Sequence, residues 1–570
     1  ALPSIGELMK EYIVTCKSME DLNSFYDDME TVGGSLYIPD RAVELTNRRT
    51  ISRNTHYMLT ESEAVEIRKD SRVLACELTW EEQGVEVISH WKQTGDFEKI
   101  DVDLDYSRFI DSNDKNWGLY RVNKGSTVTN WGTNGSFTEI SNRDLHTTWS
   151  GKNVDVVIVD DYPNPNHPEF AVNANGTGGS RCQFSFNWFQ YKDDLGYTSH
   201  PTTYSHVVPP STAHGTHTAG TTAGNTQGWA RDANIYTMNF LYSGISNWPD
   251  ILWDYLRHFH QNKAINSKTG RRNPTVVNNS WGGSTTKAVA FVQSVTYRGT
   301  TTNISSMTTA NKVSTLRANG CPVVYLSGTP YLYRIPTRST AMDADIQDAI
   351  DDGVILVGSA GNSRWNCESS GGQDYNNYIY LNPGPWSNRT IYHSRGSSPG
   401  AGGDMICVGS IGAKTQEYKS DFSNWGGRVD IWAPGSNIVS AVYNNSVTYE
   451  GAVADPRNSS YYIASISGTS MSGPQVTGLL ACLCEQEPNL TQAEALQYLK
   501  EGALADVGDD GTTPEQSNNE GFGDSNNRYL FDMRKRPLDG MTHPAVLHKN
   551  RNPTTAGVKY PRVRNNRTTK

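Results

Sequence analysis

Residues 154–160 read VDVVIVD, an apolar run closed by the carboxylate of Asp160. The run lacks the alternation of a wet and a dry face. It therefore predicts a strand buried on both sides, as in a parallel sheet covered by helices. The pattern returns at 233–241 (ANIYTMNFL), 274–282 (PTVVNNSWG), 353–362 (GVILVGSAGN), 404–412 (DMICVGSIG) and 429–435 (VDIWAPG). Helical patterns occupy 250–265, 342–353 and 474–486. Strands alternating with helices make this an α/β architecture, a parallel sheet with helices on both faces.

Upstream, residues 11–17 (EYIVTCK) predict a strand, and Ser18 with Asp21 opens a helix that stops at Gly33 and Gly34. Thr60 with Glu63 repeats the start signal, and 71–78 (SRVLACEL) returns to strand. Two such halves predict a small ferredoxin-like α+β unit over residues 1–80. An acidic linker is expected over 81–116, where Asp96, Glu98, Asp101, Asp103, Asp105, Asp111 and Asp114 follow no helical period. The α/β domain then covers 117–505, with a Thr-, Ser- and Tyr-rich surface insertion at 284–340, and 506–570 is a C-terminal extension.

At 570 residues the chain exceeds what one core supports, in keeping with this division. Residues 541–570 hold seven Lys or Arg and no Asp or Glu, so the first 540 residues carry −17 against −10 for the whole chain. Such a body repels phosphate, which makes nucleic acid an unlikely partner. The basic tail suits either a protein assembly partner or a plain solvated end. The mean hydropathy is −0.59, and no apolar run is long enough to span a membrane. The start ALPSIGELMKEY has no basic residue ahead of a hydrophobic stretch. The expectation is cytoplasmic synthesis without a signal peptide, with release by lysis or packaging in a virion as further outcomes. The eight cysteines form no CxxC pair, and Cys16, Cys76 and Cys407 sit in apolar runs, which predicts buried thiols.

Three motifs stand where strands end or helices begin, the place where open α/β sheets put their sites. Asp160 opens DDYPNPNHPEF. His214 opens HGTHTAGTTAG, whose small Gly215, Ala219 and Gly220 let a helix pack closely. Ser470 lies in SISGTSMSGPQVTG at a glycine-flanked turn, with Pro474 in the first turn of the helix that follows. A serine hydroxyl is a weak nucleophile until a base takes its proton. An imidazole held by a carboxylate supplies that base. Each motif alone is common, but the chain order Asp, His, Ser is specific.

The three motifs resemble those of the subtilase family of serine endopeptidases, nearer its proteinase K type than the bacterial subtilisins. VVIVD with HPEF resembles the aspartate segment, HGTHTAG the histidine segment and GTSMSGPQVTG the serine segment. GWARDANIYTMNFL continues the histidine segment without the calcium-loop insertion of bacterial subtilisins. SDFSNWGGRVDIWAPG and NWGLYRV resemble the run before the serine and the start of the mature domain, so the resemblance spans 116–503. One departure stands out. Asp161 and Tyr162 follow Asp160, where the family has Ser or Thr and then Gly. Adjacent strand residues face opposite ways, so only one carboxylate can meet the histidine, and the spacing to HPEF favours Asp160.

The resemblance implies Ser470 as nucleophile, His214 as general base and then acid, and Asp160 as the group that fixes the histidine tautomer. It implies Asn362 as an oxyanion donor beside the Ser470 N–H. Ser280, Trp281, Gly282 and Gly283 would pair with an extended polypeptide substrate, and Trp281 and Gly358 would border the pocket. Residues 1–80 would be an inhibitory propeptide, making the chain a zymogen. No cofactor is required. Some relatives bind calcium, but no loop here assigns a metal site. The alternative is an assembly protein on the same fold, as in a virion, with restricted or lost activity. The DDY departure, the attached N-terminal unit and the insertion all speak for it.

Overall fold

A computed structural model describes residues 8–38, 43–89, 116–125, 149–206, 213–382, 389–413, 416–443 and 452–532. The acidic cluster from Asp96 to Asp114 and the basic tail lie outside the described residues.

Six parallel strands form the central sheet, in the spatial order Ile431–Pro434, Ile406–Ile411, Ile355–Ser359, Thr275–Asn279, Asp155–Asp160 and Asn234–Asn239. All six fall within stretches read as buried strands, although Asn234–Asn239 and Thr275–Asn279 carry Asn and Thr beside their apolar residues. Each has both faces covered, and successive side chains divide between two cores. Val156 and Ile158 join one cluster, while Val157 and Val159 join the other. The first core takes the helices His214–Ala223 and Thr469–Gln486, and the second takes Trp248–Asn262 and Thr340–Asp351. Thr469–Gln486 is buried from Thr469 to Cys484, so its apolar and small residues run all round. The strand Asp155–Asp160, first in the sheet by chain order, lies between the second and third, so the winding reverses beside it. Asp160 ends that strand at the topological switch point.

The N-terminal unit is a four-stranded antiparallel sheet in the order Leu45–Arg48, Asn54–Leu59, Lys10–Cys16, Val73–Leu78. Its helices are Met19–Glu30, capped by Ser18, and Glu61–Ile67, opened by the reciprocal Thr60–Glu63 capping box. With both helices between strands, this is the split βαβ arrangement, and it has its own apolar core. Ordered structure runs past residue 80. A short helix, Trp80–Gln83, leads into the strand Glu86–Ser89, which pairs antiparallel with Trp281–Ala288.

The N-terminal unit docks through charge as well as apolar surface. Arg49 is fully buried between Asp254 (2.9 Å) and Asp345 (2.7 Å) of the α/β domain. Glu77 accepts the Ala341 N–H at the start of Thr340–Asp351.

The insertion folds as two hairpins, Val292–Tyr297 with Thr300–Asn303 and Val323–Leu326 with Thr329–Pro336, around the helix Thr309–Ala318. It has a separate apolar cluster built on Val295, Leu316, Leu332 and Trp365. All eight cysteines are buried thiols outside any disulfide among the described residues. No described helix is long and apolar enough to cross a membrane.

Candidate active site

Asp160 and His214 meet at the switch point, Oδ1 to Nδ1 at 2.6 Å, with both side chains buried. Thr218 Oγ1 donates to Asp160 Oδ2 at 3.1 Å, and the Asp161 N–H donates to Oδ1 at 2.8 Å. Thr218 follows His214 by four residues on one helix, so both present the same face to the carboxylate. Burial alone would push the imidazole pKa down. Asp160 beside it, with Asp161 further off, more than offsets this, and the pKa rises above its ordinary value.

The next carboxylate has a different task. Asp161 accepts the backbone N–H of Gly215 in the first turn of His214–Ala223, whose N-cap residue Ala213 offers no side-chain acceptor. A Cβ on Gly215 would fall 2.2 Å from the Asp161 carbonyl oxygen, so only glycine allows the approach. The departure from the family pattern therefore anchors the histidine helix and leaves Asp160 facing the ring. The second histidine of HGTH is structural. His217 lies against the carbonyls of Ile438 (2.8 Å) and Ala464 (3.2 Å), and burial drives its pKa down to about 3.

Ser470 stands in the first turn of Thr469–Gln486, where backbone N–H groups lack helical acceptors. Its hydroxyl donates to the Ser280 carbonyl (3.1 Å), and the Ser280 hydroxyl returns a bond to the Ser470 carbonyl (3.0 Å). A hydroxyl has one proton to give, so proton transfer to His214 requires Ser470 Oγ to turn away from Ser280.

Asn362 is oriented by its neighbour. The Thr469 N–H can only donate, and it reaches Asn362 Oδ1 at 2.9 Å, while Thr469 Oγ1 reaches the same oxygen at 2.7 Å. The Gly361 N–H donates to Thr469 Oγ1, which commits that hydroxyl's proton to Asn362. The Asn362 amide is thereby fixed with Nδ2 as a donor, and no acceptor meets Nδ2 among the described residues.

The substrate-strand residues divide by face. Trp281 is fully buried, stacked on Phe240 at 5.2 Å and near Trp253 at 6.4 Å, so it offers the site only its backbone. Gly282 and Gly283 pair with Ile88 and Val87. The Gly283 N–H donates to Ser398 O and its carbonyl accepts from Thr337, both at 3.0 Å. This turns its polar groups to the edge away from Glu86–Ser89. Gly358 lies inside the central sheet, where a Cβ would stand 2.7 Å from the Gly400 Cα.

Sequence reading missed Thr218 and Thr469 as orienting groups. The four-residue spacing after His214 and the position next to Ser470 were the available signals.

Among the described residues, the carboxylates of Glu368, Asp374 and Asp524 bring ligand oxygens within 4.8 Å of one another. Asp374 is already engaged in a two-point ion pair with Arg298 (2.8 and 2.9 Å), which opposes a cation there.

The Subtilase family (peptidase S8) model matches residues 151–523. The chain belongs to the subtilase family. Among curated relatives it is similar to cerevisin of Saccharomyces cerevisiae, 24% identical over 77% of this chain and 48% of that protein. It is also similar to the subtilisin-like serine protease Pen c 2 of Penicillium citrinum, 26% identical over 77% of this chain and 73% of that one. The chain spans 48% of cerevisin and 61% of a Coccidioides posadasii subtilisin-like protease. Among solved structures, a cold-adapted subtilisin-like serine proteinase has a TM-score of 0.42 at 22% identity, over 73% of this chain and 97% of that one. Fervidolysin of Fervidobacterium pennivorans, a keratinolytic enzyme, has a TM-score of 0.46 at 16% identity, over 95% and 63%.

Proposed function

We propose that this subtilase is a serine endopeptidase made as a zymogen, which hydrolyses peptide bonds in accessible polypeptide. The observation that carries the reading is the buried Asp160–His214 bond at 2.6 Å. It holds Nδ1 as the donor and so gives Nε2 the lone pair a general base needs. Ser470 Oγ turns to that nitrogen, loses its proton and attacks the scissile carbonyl. The new oxyanion takes hydrogen bonds from Asn362 Nδ2 and the Ser470 N–H. His214 then passes the proton to the leaving amine, and water repeats the sequence on the acyl-enzyme.

The zymogen reading is supported by the strand Glu86–Ser89, which occupies the edge of 281–284 where an acyl-side peptide would add. While it stays there, substrate is excluded. The Asp161–Gly215 bond removes one ground for the assembly-protein alternative, since the unusual carboxylate serves the helix.

The test is hydrolysis of unfolded casein by the purified chain, with the intact mass followed over time. Cleavage that disappears in Ser470→Ala and His214→Ala, with loss of the N-terminal unit only in the active chain, is expected. Cleavage that persists in Ser470→Ala would overturn the mechanism.

A further inference from the structure

The strand Trp281–Ala288 has two edges of unequal fate. Thr329–Pro336 pairs with it along residues 284–288 on one side, and Glu86–Ser89 along 281–284 on the other. Beyond Ser284 the second edge has no strand partner among the described residues. The N-terminal segment leaves that edge at Gly84, whose φ of +63° turns the chain back into the helix Trp80–Gln83. A peptide without this turn would run on along Thr285, Thr286 and Lys287.

That continuation ends at two cations. Lys287 and Arg389 are both half-buried, and no carboxylate pairs with either among the described residues. Arg389 instead donates to the carbonyl (3.0 Å) and side-chain oxygen (2.8 Å) of Gln83 in the N-terminal unit. Burial depresses both pKa values, and Arg389 lowers that of Lys287 further. Neutral amide oxygens compensate a guanidinium less well than a carboxylate does. When the N-terminal unit leaves, the Gln83 oxygens leave with it.

Resting on the endopeptidase reading, we infer that Lys287 and Arg389 form a distal subsite for a substrate carboxylate, selecting extended peptides with an acidic residue well upstream of the cut. The register sets the position. Ile88 pairs with Gly282 and Glu86 with Ser284, so a straight continuation places the residue five positions before Ile88 opposite Lys287. Directly opposed residues of an antiparallel pair share a face, with Cβ atoms roughly 4.5–5.5 Å apart. An Asp or Glu there meets Lys287 across the strand with Arg389 close by. Gln83 has this place in the chain's own sequence but lies in the helix Trp80–Gln83, from which it offers Arg389 neutral oxygens in place of a carboxylate.

The test uses synthetic peptides with the sequence of residues 78–96, native or with Gln83→Glu, as substrates of the purified chain once intact mass shows that its N-terminal unit has been cut away and lost, at low ionic strength. The Gln83→Glu peptide should be cleaved with kcat/KM about 5- to 10-fold higher, through KM. The advantage should vanish in the Lys287→Met/Arg389→Met chain and shrink at about 0.5 M salt. Equal kcat/KM for the two peptides, or an advantage that survives the double substitution, would overturn the distal subsite. Hydrolysis of neither peptide would overturn the endopeptidase reading and this inference with it.

Discussion

The carboxylate of Asp161 accepts the backbone N–H of Gly215, one residue beyond His214. The side chain that departs most visibly from the family pattern thus fixes the turn that carries the imidazole. Asp161→Ala should destabilise the chain by about 1 kcal/mol, the usual cost of losing a helix-start acceptor. It should also lower kcat, because the ring loses its anchor. Asp161→Ser, which keeps an acceptor, should restore most of both. Chemical unfolding and casein turnover on the three proteins check this.

Asn362 should behave as a donor to the transition state alone. Asn362→Ala is expected to lower kcat by about 10²–10³ with little change in KM. Thr469→Val keeps the N–H that fixes Asn362 Oδ1 but removes the hydroxyl bonded to the same atom. It should cost less, about 10-fold in kcat. Steady-state kinetics on a short chromogenic peptide separate the two constants.

The pH profile follows from His214. Its pKa is raised, and only the neutral ring accepts the Ser470 proton, so activity should climb through a midpoint above 6.5. Asp160→Asn removes the main cause of the shift, so the midpoint should fall along with the rate. For stability the sign is opposite. A raised histidine pKa stabilises the fold fully below 6.5, and this is lost as pH rises through the folded value. A kcat/KM profile from pH 5 to 9 checks the first statement and denaturant midpoints check the second.

The contact between the two units should weaken as pH rises. Burial pushes Glu77 and Asp250 up to about 7 and Asp345 up to about 6. Arg49 restrains the two aspartates, and the Ala341 N–H restrains Glu77. Carboxylates whose pKa is raised on docking take up protons there. Their contribution is therefore complete near pH 4 and declines as pH rises through 6–7. In the Ser470→Ala chain, thermal unfolding of the N-terminal unit should come at lower temperature at pH 8 than at pH 5. Glu77→Gln should flatten the difference.

Arg49 is the sharper probe of the same contact. Arg49→Met leaves Asp254 and Asp345 buried without a cation and should cost about 3–5 kcal/mol. Urea unfolding of the Ser470→Ala chain measures it.

How much of this could be read from sequence depends on whether the cause was local. The central strands were legible because a strand buried on both faces is mostly apolar, as at Val156 to Val159. The two caps at Ser18 and Thr60 were legible because their partners are three residues away. The spacing to HPEF favoured Asp160 over Asp161 in the sequence, but the task of Asp161 showed only in the geometry, since both carboxylates find partners on one distant helix turn. Trp281 was expected at the pocket, yet it stacks on Phe240, because which face of a strand meets the core is set by packing partners far along the chain. The Arg49 pairing joins residues more than 200 apart and leaves no local trace. The strand Glu86–Ser89 did leave one, in the alternation of Val85 and Val87, but the acidic composition nearby masked it.

If Ser470 is an activated nucleophile, it reacts with a serine-directed fluorophosphonate. One adduct per chain is expected, located on Ser470 by peptide mass. Labelling should be absent in Ser470→Ala and His214→Ala, and faster once the first hundred residues are removed by proteolysis. A correctly folded chain that stays unlabelled after that removal would mean that Ser470 is not activated.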